Sequence, residues 1–201
     1  MSTRGGKKYF ITFIDDCIRY CYLYLLNSKD EAINMFITYK AEVENQLNKK
    51  IKILKSDRGG EYESNDFSEL CANFGIIHQT TAPYTPQQNG IAERKNRTLK
   101  EMVNSMLVSS GAPQNLWGEA LLTANHILNR VPHKKLGLIP FELWHGRTPS
   151  YHYLKMWGCL AKVLAPLPKK TKLGARTMDC IFIGYVLNSS AYRFLVHKSE
   201  I

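Results

Sequence analysis

Apolar and polar residues alternate from the start of the chain. Residues 8–14 (KYFITFI) and 20–26 (YCYLYLL) are rich in aromatic and β-branched side chains and are divided by the polar turn DDCIR. This pattern predicts two strands of a hairpin. The period then lengthens. In SKDEAINMFITYKAEVENQLNKK the apolar positions Ile33, Phe36, Ile37, Val43 and Leu47 recur at helical spacing. Ser28 followed by Glu31 predicts a capping box at the helix start. IKILK (51–55) reads as a third strand leading to Asp57. A short helix is expected from Ser64 or Asn65 to Phe74, ended by Gly75, with a fourth strand at 76–80.

Two prolines and a final Asn-Gly make 81–90 (TAPYTPQQNG) an irregular loop. A long helix is predicted from Ile91 to about Ser110, its apolar side marked by Leu99, Met102, Val103, Met106 and Leu107. GAP at 111–113 breaks it. A further helix, LWGEALLTANHILNRV, runs until Pro132 stops it. Beyond residue 151 the period shortens again in GCLAKVLA and CIFIGYVL, divided by the loop PLPKKTKLGART, which predicts a small separate β unit. Strands and helices in this order describe an α/β domain.

Composition narrows the setting. At 201 residues and 44% hydrophobic, the chain can bury a core. No apolar run approaches the roughly 20 residues that span a membrane, and the first residues hold no signal-peptide core. Five scattered cysteines form no CxxC pair, so a zinc site or disulfide framework is not expected. The net charge of +10, from 27 basic and 17 acidic residues, makes nucleic acid the natural partner to test, though charge alone serves equally for a merely soluble basic protein. The excess concentrates in residues 155–201, with eight Lys or Arg against two acids.

Two carboxylates carry the candidate chemistry. Asp57 closes a strand, Glu93 falls on the first turn of the long helix, and thirty-five residues lie between them. Acids at a strand end and on a facing helix can converge on a hard cation such as Mg²⁺ or Mn²⁺. On spacing alone, a turn-forming Asp and a helix-start Glu explain the pair better.

The surrounding words decide between these readings. SDRGGEY followed by YTPQQNGIAERKNRTLK resembles the catalytic core of retroviral and long-terminal-repeat retrotransposon integrases. LWGEALLTANHILNRVP, PFELWHGRTPS and GCLAKV…CIFIGY…SSAYR look like the copia type of retrotransposon Pol polyprotein. The resemblance implies a ribonuclease H-like core over residues 1–148 and an SH3-like β unit over 149–201. It implies Asp57 and Glu93 as catalytic metal ligands for Mg²⁺ or Mn²⁺. Tyr84, Pro86, Gln87, Asn89 and Gly90 match the loop beside the active site. Tyr84, Gln87, Asn89, Arg97 and Lys100 are the implied DNA contacts. Asn89, Glu93, Arg97 and Lys100 share one helix face. Lys169, Lys170, Lys172 and Arg176 suit nucleic-acid binding or a solvated loop alike. Retrotransposon DNA ends and target DNA are the implied partners, with homo-oligomers, no membrane, and a nuclear setting.

A family site needs a third carboxylate, on a strand before YFITFIDD. MSTRGGK holds no acid, so the core is expected to lack its first strand and the reaction, DNA 3′-end processing and strand transfer, is expected to fail in this chain. Asp15 and Asp16 are expected to serve the turn, away from the metals. A gap one strand wide is expected between the hairpin and IKILK. The SH3-like unit is expected to be partial.

Overall fold

The computed structural model describes residues 1–56, 65–80, 89–133, 137–166 and 176–196. The predicted hairpin is present, with β1 (Tyr9–Ile14) and β2 (Cys21–Leu26) antiparallel and Tyr9 opposite Leu26. Asp15 builds its turn. One carboxylate oxygen accepts from the amides of Cys17 at 3.0 Å and Ile18 at 2.7 Å, and Arg19 takes the left-handed conformation (φ 65°) that closes it.

Helix α1 (Ala32–Leu47) follows a single 3₁₀ turn at Lys29–Glu31. The capping box does not form as predicted: Ser28 makes no side-chain cap bond. Because the tight first turn draws Glu31 back, its carboxylate accepts instead from the Asn27 amide (3.0 Å) and the Asn27 side chain (2.6 Å). The buried stripe of α1 is Ala32, Phe36, Tyr39 and Val43, spaced i, i+4, i+7, i+11, whereas Ile37 is 39% exposed. Tyr39 displaces Ile37 from the core because its ring stacks on Phe13 at 4.5 Å.

Strand β3 (Ile53–Ser56) pairs in parallel with β4 (Ile77–Thr80), and α2 (Asn65–Asn73) connects them. Gly75 (φ +67°) ends α2. Its amide donates to Ala72 and that of Ile76 to Cys71, satisfying the helix's last carbonyls.

The hairpin and the parallel pair are separate two-stranded sheets, and among the described residues no ladder joins β1 to β3. Such small sheets are marginal alone, so their common support matters. Helix α1 supplies it: Phe36 meets Phe13 at 5.9 Å and Phe67 of α2 at 5.5 Å in one core that also holds Ile11, Val43 and Cys71. The other face of the hairpin carries Phe10, Leu23 and Leu25 against α3 (Gly90–Ser110) and α4 (Trp117–Leu128).

Two asparagines fix α4 to the hairpin. The Cys21 amide donates to Asn129 Oδ1 at 3.0 Å, and its carbonyl accepts from the side-chain amides of Asn125 (2.9 Å) and Asn129 (2.8 Å). Backbone groups at the outer edge of β2 are thereby paired. A short helix α5 (Pro140–His145), which periodicity did not show, lays Trp144 on Tyr20 at 4.7 Å.

The last unit is an antiparallel sheet of β5 (Leu160–Leu164), β6 (Thr177–Tyr185) and β7 (Tyr192–Val196), in that order. It is docked closely on the helices. The Ile183 carbonyl accepts from Trp157 Nε1 (2.9 Å) and from Thr123 Oγ1 (3.4 Å), while His126 stacks on Tyr185 at 4.3 Å and bonds the Tyr153 hydroxyl at 2.9 Å. Gly184 allows the approach, since a Cβ there would meet Thr123 Oγ1 at 2.7 Å.

Candidate functional site

Helix α3 sets the geometry of the site. Its inner face holds Leu99, fully buried, with Met102, Val103 and Met106 packed beside it. Asn96 fixes the rotation of the helix by accepting from Thr12 Oγ1 of β1 at 3.1 Å. Glu93, Arg97 and Lys100 are consequently exposed on the opposite side, one or two turns apart. Asn89 is the N-cap at the head of this stripe and makes no side-chain cap bond. Gly90 is buried, and the Arg94 guanidinium lies where a Cβ on Gly90 would contact it at 3.2 Å.

Four sequence-predicted residues, Asn89, Glu93, Arg97 and Lys100, are thus brought onto one accessible face. Glu93 has no hydrogen-bond or ion-pair partner among the described residues. Asp57, Tyr84, Pro86, Gln87, Lys169, Lys170 and Lys172 lie outside the described residues. Arg176 is exposed immediately before β6. No group of three or more metal-ligating side chains occurs among the described residues.

Asp15 and Asp16 are both engaged. Asp15 holds the hairpin turn. Asp16 pairs with Arg19 at 2.8 Å and with Lys55 at 2.7 Å, and the Lys55 and Arg19 hydrogen bonds hold its carboxyl below the ordinary range. The Lys55 contact brings Asp16 nearer the end of β3 than strand order implied, but in the company of cations rather than free for a metal.

Residues that sequence reasoning passed over support the same end of the molecule. Ser56 Oγ lies 2.9 Å from His78 Nε2, tying the last residue of β3 to β4 directly before Asp57. Burial lowers the His78 pKa, so the ring is neutral near pH 7, and Phe67 meets it edge-on at 5.2 Å. Lys95 turns inward on α3, where burial holds its ammonium below the usual lysine range. Only the letter H in IIHQT could have flagged the first pair, and the Lys95 signal is its place on the inner stripe.

Residues 1–86 match the integrase core domain family and residues 159–200 the retroviral polymerase SH3-like domain family. Over 194 residues, 96% of its length, the chain is 44% identical to the retrovirus-related Pol polyprotein from transposon TNT 1-94 of Nicotiana tabacum. The chain belongs to the integrase region of copia-type retrotransposon Pol polyproteins. A similar Pol polyprotein from transposon RE2 of Arabidopsis thaliana is 36% identical over 92% of the chain. These relatives are far longer: the chain spans 15% and 13% of their lengths.

Solved structures agree on the fold of this integrase segment. The catalytic core domain of HTLV-2 integrase in complex with magnesium (trimeric form) is 19% identical, with a TM-score of 0.55 over 72% of this chain and 90% of that one. The simian T-cell lymphotropic virus intasome in complex with PP2A regulatory subunit B56 gamma is 17% identical, with a TM-score of 0.59 over 98% of this chain and 73% of that one. The fold is therefore a ribonuclease H-like integrase core followed by an SH3-like β unit.

Proposed function

We propose that this segment holds DNA beside a divalent metal in the DNA-joining reaction of a retrotransposon integrase. The observation that carries the reading is the free Glu93 carboxylate on the same exposed face as Asn89, Arg97 and Lys100. Glu93 suits Mg²⁺ or Mn²⁺ because it is a hard oxygen donor without a partner among the described residues. Asp57 is the second ligand in this assignment. Bound there, the ion would lower the charge on a phosphodiester and favour attack by water or a DNA 3′-hydroxyl.

The protein's own part is positioning. Arg97 and Lys100 take the phosphate backbone, and Asn89 offers an amide at the helix N-terminus, where the dipole also favours an anion. Tyr84 and Gln87, a few residues before the helix in sequence, complete the DNA contacts. The basic residues Lys169, Lys170, Lys172 and Arg176 add a second, sequence-blind attraction. Nuclear location and assembly into oligomers belong to the same proposal.

Neither Asp15 nor Asp16 is free to act as a third acid, so these 201 residues alone are expected to bind DNA and metal without joining DNA. A binding module without metal chemistry is the second reading, favoured by the exposed cations Arg97, Lys100 and Arg176. Fluorescence titration of a labelled DNA duplex, with and without Mn²⁺, separates the two. Tighter DNA binding with Mn²⁺, lost in Asp57→Asn and in Glu93→Gln with the circular dichroism unchanged, supports the metal site. Salt-sensitive binding indifferent to Mn²⁺ and to both substitutions replaces it with the binding module.

A further inference from the structure

The exposed stripe of α3 does not end at Lys100. Asn104 continues it one turn further on, and there it meets a cavity of about 170 Å³ between α3, α4 and strand β1. Val103 and Leu121 line the apolar part, with Leu121 held in the core. Phe10 and Trp117 add two half-buried rings, and the exposed Lys100 and Asn104 form a polar rim. The volume is well below the roughly 300 Å³ at which sites for drug-sized ligands begin, so a single planar ring system suits it best.

The groups around this cavity are not used elsewhere. Rings in the rest of the molecule pair with one another, as Phe13 does with Tyr39 and Tyr20 with Trp144. Neither Phe10 nor Trp117 has a ring partner among the described residues. The Trp117 indole N–H, the Asn104 side-chain amide and the Lys100 ammonium have no hydrogen-bond or ion-pair partner among them either. An apolar slot with aromatic walls, an amide and an N–H at its edge and a cation beside it matches a flat heteroaromatic ring that carries a negative charge nearby. A nucleotide has that form.

We propose that the cavity takes one unpaired nucleobase of the DNA held along α3, an inference that rests on the DNA reading of that face. Lys100 holds the phosphate next to the base, and the base stacks on an aromatic wall. The Asn104 amide donates and accepts at once, the pattern that matches N7 and N6 of an adenine. A paired base cannot enter, since its faces are covered by its neighbours and its edge by its partner. The site therefore favours DNA that is frayed or distorted over an intact duplex, a preference that phosphate contacts alone do not create.

The probe is a short DNA duplex with one extrahelical adenosine, compared with the same duplex whose extra nucleotide lacks its base. The two carry equal charge, so only the base differs. In spectra of the isotope-labelled chain the Trp117 indole signal should move with the first and not with the second. The indoles of Trp144 and Trp157, each 7% exposed, serve as internal references. The adenosine duplex should bind at least about fivefold more tightly than the abasic one. Trp117→Leu and Asn104→Ala should each bring that ratio towards one. Asn104 is exposed, so its variant is expected to fold, and unchanged amide spectra away from the cavity verify it. The proposal is overturned if the two duplexes bind equally, if the Trp117 signal is unmoved by the adenosine duplex, or if Asn104→Ala keeps the full ratio. Where both duplexes still move the α3 amides alike, the DNA face stands and the base pocket falls. Where neither moves them, both readings fall.

Discussion

Glu93 and Arg97 stand four residues apart on α3, the order and spacing at which a glutamate and an arginine ordinarily close an ion pair. They close none, and both side chains remain exposed. An acid and a base left unpaired at this spacing are available to ligands of opposite sign, a cation for one and a phosphate for the other. The cations can be tested apart from the metal. Arg97→Ala with Lys100→Ala should weaken binding about equally for all DNA sequences and reduce the slope of affinity against salt by about two, because phosphate contacts carry charge and no sequence information. Titrations of two unrelated duplexes across a salt series check it; a changed sequence preference would count against a backbone role. At this scale the sequence was most informative where chemistry depends on residue type and spacing. Asn89, Glu93, Arg97 and Lys100 were legible because a helix turns a spacing into a face. The Ser56–His78 contact was not, since it depends on the register between two strands twenty residues apart.

The elements were read correctly where one face meets one continuous core and less well where neighbours on different sides compete for the helix. Helix α3 packs one face on the hairpin and α4, and all five of its apolar markers turn inward to some degree. Helix α1 must serve both the hairpin and the parallel pair, so an aromatic stack recruits Tyr39 while Ile37 is left outside. Helix α5 has six residues, too few to show a period, and depends on Trp144 finding Tyr20. The end of α1 makes a prediction of its own. Glu44 accepts from Lys40 at 2.8 Å, Lys50 at 3.1 Å and the Ile51 amide at 3.0 Å, fixing the path from α1 into β3. These contacts, the Lys40 bond foremost, bring its pKa from 4.5 down to about 2. A carboxyl depressed by folding stabilises the fold above its unfolded pKa, and that stability is lost as pH falls through the folded one. Glu44→Gln should therefore be less stable than the parent near pH 7, with the difference closing between pH 4.5 and about 2. Urea midpoints measured over that range decide it, and a difference that persists at pH 2 would mean packing, not charge.

At the scale of the whole molecule, the β unit and the helices are joined by a polar and aromatic seam. Sequence predicted the two parts but not the seam, because its members (Thr123, His126, Tyr153, Trp157, Ile183 and Tyr185) come from three separate stretches. His126 is the titratable group within it. Burial, assisted by the Arg130 charge, lowers its pKa from 6.5 to about 3. Besides Arg130, the groups facing it are the tyrosines 153 and 185. The unfolded chain takes up a proton on this ring below pH 6.5 that the folded chain refuses until about pH 3, so the fold loses stability across that window as pH falls. His126→Phe, which keeps a ring against Tyr185, should flatten this part of the stability profile. Thermal midpoints from pH 7 to 4 test it, and a profile as steep as the parent's would assign the acid sensitivity elsewhere.

The Lys55–Asp16 pair spans two sheets that no ladder joins among the described residues. An uncovered strand edge is a template for any other strand, including that of a neighbouring molecule. Lys55 stands at the open pair and is held across it by Asp16. A lysine at a strand edge must bury its charge before a second strand can pair there. The lysine that engages Asp16 thus also puts a charge at the end of β3, and high salt screens that pair.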